Sequence, residues 1–142
     1  MKLNKIVFAY KILGEAKVQT LAEKEVIKVI KARKAMRPHA DEYEAFLKDV
    51  QEKFKPEDWD DLQKKVQQWQ EEGEKTTLTK EEQIEINKKM VDYQKKVEAV
   101  VKEELEKEIK LEIEPLNEES YVKLLIENGW ELGKLEEIEA VL

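Results

Sequence analysis

Residues 79–115 read TKEEQIEINKKMVDYQKKVEAVVKEELEKEIKLEIEP, and the period of their apolar positions changes once along the way. Met90, Tyr93, Val97, Val100, Val101 and Leu105 recur every one to four residues, which predicts a helix from about Lys80 to Lys107 with one buried side. Thr79-Lys-Glu-Glu82 supplies its start as a capping box: the Thr79 hydroxyl accepts from a first-turn N–H while Glu82 reaches back to the Thr79 N–H. From Glu108 to Glu114 charged and apolar residues alternate strictly, the period of a half-buried strand, and Pro115 ends it. A lone strand needs a partner for its backbone. The predicted helix is about 42 Å long, so the loop that precedes it lies at the wrong end. If the long helices pack antiparallel, the connection between Glu15 and Leu21 lies at the right end. The expectation is therefore a two-stranded sheet between Lys17-Val18-Gln19 and Leu111-Glu112-Ile113, resting on the terminal helices because a ribbon alone is marginal.

Working outward toward the start, Leu3, Ile6, Val7, Tyr10 and Leu13 sit at helical spacing up to Gly14, placed where a C-cap belongs. Thr20-Leu-Ala-Glu23 reads as a second capping box. Val26, Ile27 and Ile30, then Tyr43, Phe46, Leu47, Val50 and Phe54, mark one apolar side of the helix that follows. Pro38 lacks an N–H and crowds the previous turn, so a kink or short break is expected near Arg37. Pro56 opens the next helix at its favoured first-turn position, with Glu57 and Asp58 at the positive end of the dipole. Trp59, Leu62, Val66 and Trp69 form a narrow apolar stripe on it. A polar loop around Gly73 leads back to Thr79. After Pro115, Asn117 caps a helix from about Glu118 to Glu127, Asn128-Gly129 closes it, and a last helix covers about Leu132 to Val141.

The whole reads as a mainly α chain, one helical domain over residues 1–142. Two long antiparallel helical arms, the first kinked, carry a small two-stranded sheet and short C-terminal helices at one end. Composition agrees: 142 residues suit one core, and four Gly and three Pro leave few tight turns for a many-stranded fold. No run approaches the ~20 apolar residues that cross a bilayer. Leu3–Tyr10 is too short and interrupted for a signal-peptide core. The expected location is the cytoplasm, with no membrane partner.

Chemistry is narrowly bounded. There is no Cys, one His (His39) and one Ser (Ser120), which removes thiolate sites, His-pair metal motifs and most paired nucleophiles. Glu103, Glu104, Glu106 and Glu108 could suggest a carboxylate metal site, but acids mixed with Lys at helical spacing read as a solvated face. No Gly-rich phosphate loop occurs. The expectation is no enzyme activity, no catalytic, metal or cofactor-binding residue, and no cofactor.

Charge is the informative feature. Charged residues make up 42% of the chain and the net charge is −7. Residues 1–37 hold 10 basic and 3 acidic side chains, leaving 16 basic and 30 acidic for the rest. Lys24, Lys28, Lys31 and Arg33 could form a face for nucleic acid or an acidic partner. The preferred reading has this basic quarter neutralise the acidic remainder, with Arg33 and Arg37 meeting carboxylates of the long helix or the tail. Trp59, Leu62, Val66 and Trp69 are the candidate partner-binding patch, if the folded chain leaves them partly exposed.

The order of parts carries a resemblance. A short helix beginning Met1-Lys-Leu-Asn-Lys, a long basic helix, a Glu-rich helix, and the junction from Leu105 through Ile109-Lys-Leu-Glu-Ile-Glu-Pro-Leu116 resemble a family of small uncharacterised phage and prophage proteins. That resemblance implies a mobile-element protein, in host cytoplasm or a phage particle, without established catalytic residues. Together the readings point to a non-enzymatic structural, assembly or protein-interaction module that uses charged helical surfaces, through a protein partner or homodimerisation. The alternative is a nucleic-acid-binding accessory protein using residues 24–37.

Overall fold

Helices form at nearly every place where apolar spacing calls for one. The computed structural model describes residues 1–142. It contains α1 (Leu3–Glu15), α2 (Glu23–Phe54), α3 (Trp59–Glu72), α4 (Lys80–Leu105), α5 (Glu118–Asn128) and α6 (Leu132–Glu139), with a short 3-10 turn over Gly73–Lys75. The chain is mainly helical and has no strand or sheet. No helix is long and apolar enough to cross a membrane. Residues gather into two compact units, Met1–Phe46 with Glu104–Leu142, and Leu47–Glu103.

In the first unit, α1 buries Leu3, Ile6, Ala9, Ile12 and Leu13. Ile6, Ala9, Ile12 and Leu13 join Val29, Ala32 and Met36 of α2, Leu124 of α5, Ile138 of α6 and the terminal Val141 and Leu142 in one core. Fully burying an aliphatic side chain of this size stabilises by roughly 1.5–3 kcal/mol, so Ile6, Met36, Leu124 and Ile138, all inaccessible, anchor the unit. The Tyr121 hydroxyl donates to the Leu142 carbonyl and accepts from the Leu116 N–H, fixing the chain end against α5.

The buried line of α2 differs from the expected one. Glu25, Val29, Ala32, Met36 and Ala40 are buried, spaced 4, 3, 4 and 4, whereas Ile27 and Ile30 are about half exposed. Beside Glu25 the inner face carries Val29, Ala32, Met36 and Ala40, two of them alanines. The helix also runs unbroken through Pro38. Proline forfeits the bond to the Lys34 carbonyl, but Met36 and Ala40, buried on either side, hold the helix together.

Two local expectations near α1 fail for identifiable reasons. Gly14 lies within α1 and is not its C-cap, which is Ala16 in extended backbone. Its missing side chain matters because a Cβ there would stand 2.9 Å from Arg33 Nη2. The Thr20 capping box is absent: the Thr20 hydroxyl and N–H both donate to the Glu127 carboxylate, at 2.8 and 3.1 Å.

The expected sheet between residues 17–19 and 111–113 does not form either. The end of α5 takes those backbone groups instead. Lys17 N–H donates to Asn128 Oδ1 at 2.6 Å, Lys17 C=O accepts from Asn128 Nδ2 at 2.9 Å, and Gln19 N–H donates to Glu127. The alternating segment pairs with the first residues of the chain. Leu3 N–H donates to Lys107 C=O, Ile109 N–H donates to Met1 C=O, and one antiparallel bridge joins Lys2 to Glu108. The period-2 pattern is nonetheless real in burial: Ile109, Leu111 and Ile113 are half-buried against the core, while Glu108, Lys110, Glu112 and Glu114 are exposed.

In the second unit, Leu62 of α3, Leu78 just before α4 and Ile86 within α4 form a small core. The Thr79 capping box is present, with Glu82 N–H donating to Thr79 Oγ1 at 3.1 Å and Thr79 N–H donating to Glu82 at 3.4 Å. Asn117 likewise caps α5 through Ser120 N–H at 2.8 Å, and Gly129 ends that helix in the left-handed conformation with φ 60°.

Candidate interaction site

Pro56 precedes α3, and its carbonyl accepts the Trp59 N–H at 3.1 Å, so the helix starts three residues later than the sequence suggests. Asp58 is its N-cap residue. Lys89 of α4 reaches both Asp58, at 2.6 Å, and Glu85, at 3.3 Å. The Lys89 hydrogen bond holds the Asp58 carboxyl below its ordinary range, against the opposing effect of desolvation. The same bond holds the Lys89 ammonium above its ordinary range, aided by Glu85. This clamp joins the first turn of α3 to α4, and the apolar stripe is laid along α4 from there.

The stripe is not uniform. Trp59 packs on Tyr93 with ring centroids 4.7 Å apart and planes tilted by 51°, a favoured aromatic geometry. Leu62 is 3% exposed and belongs to the small core. Val66 and Trp69 are half-buried and line an open groove of about 390 Å³ with Gln70, Gly73, Ile86, Asn87 and Met90. The four residues thus divide: Trp59 and Leu62 hold α3 on α4, while Val66 and Trp69 face the recess. Ile86 was missed as a groove residue, although it precedes Met90 by four positions and so extends the α4 stripe by one turn.

The groove is apolar at its floor, and its polar side chains, Gln70 and Asn87, are uncharged amides. Such a lining suits one inserted apolar or aromatic side chain, with the amides free to bond backbone around it.

The four cations of the alternative face are not equivalent. Lys28 is held by Glu25 at 3.1 Å, by Glu114 at 3.6 Å, and by the Pro115 carbonyl at 3.4 Å. The hydrogen bond that Lys28 donates to Glu25 is the main reason its ammonium stays above the ordinary lysine range. The Arg33 guanidinium lies over the Tyr10 ring at 4.4 Å, where its positive charge meets the π face. Arg37 Nε donates to the Tyr10 hydroxyl at 3.4 Å. Both arginines therefore meet Tyr10 instead of the expected carboxylates. Lys24 and Lys31 alone remain exposed and unpaired. Three of the four carboxylates Glu103, Glu104, Glu106 and Glu108 are paired: Glu104 with Lys107, Glu106 with Lys2, and Glu108 with the Met1 ammonium.

One charged centre escaped the sequence reading. Glu25 is 1% exposed. Its Oε2 accepts from the Asn117 N–H at 3.1 Å and from Ser120 Oγ at 3.2 Å, while Oε1 accepts from Lys28. Burial pushes this carboxyl upward, but the Asn117, Lys28 and Ser120 hydrogen bonds together with the Lys28 charge outweigh it and leave it below its ordinary range. A carboxylate at a core position of the α2 line was the available signal. The arrangement ties α2 to the N-terminus of α5, where the helix dipole also favours negative charge, and its surroundings are fully satisfied, which marks it as architecture.

The chain matches no protein-family model, no curated protein and no solved structure, so the functional reading rests on its own residues.

Proposed function

We propose that this chain is a non-enzymatic structural, assembly or protein-interaction module of the phage and prophage type, which receives an apolar side chain of a protein partner between α3 and α4. The observation that carries the reading is the groove of about 390 Å³ at Val66, Trp69, Ile86 and Met90, left open after Trp59 and Leu62 have been spent on holding the helices together. Trp69 is the residue of greatest weight, since a half-buried indole offers large contact area at low entropic cost and such residues concentrate binding energy. The resemblance of Leu105–Leu116 to small phage and prophage proteins supports the mobile-element setting. The host cytoplasm or an assembling particle is the matching location.

The experiment places a photoreactive phenylalanine analogue at Gln70, on the rim, and irradiates the protein in the host cell. One discrete adduct, lost when Met90→Lys fills the groove with charge, supports the reading and gives the partner's mass. Helical circular dichroism must be unchanged in that variant. Adducts no more abundant than those from the exposed outer position Lys64 would remove the reading. Nucleic acid is the weaker alternative, because Lys28 and Arg33 are already engaged within the chain.

A further inference from the structure

The backbone of the alternating segment is left with an open edge. Its pairing with the N-terminal residues ends where Ile109 exchanges two bonds with Met1: Ile109 N–H to Met1 C=O at 2.8 Å and the Met1 ammonium to Ile109 C=O at 2.9 Å. Beyond it, the N–H and C=O groups of Lys110, Leu111, Glu112 and Ile113 make no hydrogen bond within the chain. The side chains still alternate between core and solvent, so the segment is extended and its backbone groups point alternately to two edges. Ile109 and Ile113 share the edge that meets Met1. Lys110 and Glu112 therefore present their backbone groups to the opposite edge, away from the N-terminus. Both side chains are exposed and neither forms an ion pair.

Unpaired extended backbone is a template for another strand, and proteins that keep one usually blunt it or use it. The geometry points to a second copy of this chain as the occupant, its residues 109–113 running antiparallel to the first about a two-fold axis at Leu111. The charges select this register. Lys110 then stands opposite Glu112 of the other copy, and Glu112 opposite its Lys110, as two hydrogen-bonded pairs of opposite sign. Leu111 faces Leu111 and Ile109 faces Ile113 on the apolar side. Glu108 falls opposite Glu114, but each already has a cation, the Met1 ammonium and Lys28 respectively. Moving the axis to Glu112 would set two unpaired Glu112 carboxylates face to face, so that register is disfavoured. A two-fold contact requires a self-complementary surface, and Lys-Leu-Glu centred on Leu111 is one.

Sedimentation equilibrium between about 1 and 200 µM tests the pairing on the full chain. The wild type is expected to dimerise, and Lys110→Glu to raise the dissociation constant about tenfold or more, by replacing two attractive pairs with two repulsive ones. Lys110→Glu combined with Glu112→Lys should restore the wild-type affinity, which general damage to the fold would not do. Hydrogen exchange should show the Lys110 and Glu112 amides protected with rising concentration and the Leu111 amide unchanged. A wild type that stays monomeric throughout overturns the proposal. So does a dimer indifferent to the charge swap, or one lost in Met90→Lys and retained in Lys110→Glu, which would place the contact at the α3–α4 groove.

Discussion

Ser120→Ala removes one donor from a buried carboxylate and leaves every other group around it in place. Ser120 is 3% exposed, and its hydroxyl stands 3.2 Å from Glu25 Oε2. Its N–H, which the Asn117 cap uses, is untouched. A hydrogen bond to a charged acceptor contributes about 1.5–3 kcal/mol, and 3.2 Å is at the long end for an O–H donor, so the lower part of that range applies. Alanine regains up to about 0.5 kcal/mol in helix propensity. The expected net loss is about 1–2 kcal/mol. With an unfolding entropy near 2.1 cal/mol/K per residue, 1 kcal/mol corresponds to roughly 3 °C for a chain of this length, so Tm should fall by about 3–7 °C at pH 7. The pH dependence is the sharper test. The native Glu25 carboxyl lies below its ordinary value, so the stability it contributes is complete above the unfolded-state pKa and is lost as pH falls through the native one. The variant has one fewer stabilising donor, so its carboxyl returns toward the ordinary range and less of its stability is at risk in acid. The gap between the two proteins should therefore narrow below about pH 4.5. Scanning calorimetry at pH 7, 5 and 3 measures it. Equal Tm values at pH 7, or a gap that is the same at all three, would refute the argument that Ser120 acts through an ionised Glu25.

Three further outcomes follow from positions already described. Gly129 sits at φ 60° with open space around it, so Gly129→Ala should cost about 1–2 kcal/mol from the left-handed backbone alone, read as a shift in urea midpoint; an unchanged midpoint would contradict the αL cap. Leu62→Ala empties a 3% exposed position of the small core and should cost about 2–5 kcal/mol, with the Trp59 surroundings reporting the loss by near-ultraviolet circular dichroism; a neutral result would mean the stripe faces solvent. Any binding of residues 24–37 to random duplex DNA should show a log K against log salt slope no steeper than about −3, because Lys24, Lys31 and Lys34 are the unpaired lysines of that stretch; a slope near −4.5 would show that Lys28 and Arg33 leave their partners for phosphate.

The helical elements were legible because their signals are local. Thr79–Glu82, Asn117 and Asn128-Gly129 act within one turn of their own helices, and each works as its sequence implies. Thr20–Glu23 has the same pattern and fails, because Glu127, 107 residues away in sequence from Thr20, offers the better acceptor. The sheet failed for the same kind of reason. Periodicity located the extended segment and its buried face, but the choice between residues 17–19 and residues 1–3 as its partner depends on where Asn128 and Glu127 end up. At the candidate site, the sequence singled out all four stripe residues. It could not divide them, since whether a half-apolar helix face is covered depends on Tyr93 and Ile86 of the facing helix.

The basic first quarter and acidic remainder do meet, though through few of the charges. Met1, Lys2, Lys5 and Lys28 pair with Glu108, Glu106, Glu137 and Glu114. Three of these pairs involve the N-terminal residues and the three engaged acids of 106–114 lie on or beside the alternating segment. The ion pairs thus gather on the stretch whose backbone is least satisfied. Exposed pairs add little stability individually, so their effect is on placement: they hold Glu108 and Glu114 at either end of the segment while Lys110 and Glu112 between them stay unpaired. Glu→Gln at 108 and 114 together should therefore loosen the segment without unfolding the core, raising amide exchange at Ile109, whose N–H donates to the Met1 carbonyl, while leaving that at Leu124 and Ile138 unchanged. Exchange rising equally at both places would show that these charges support the fold as a whole and not the edge.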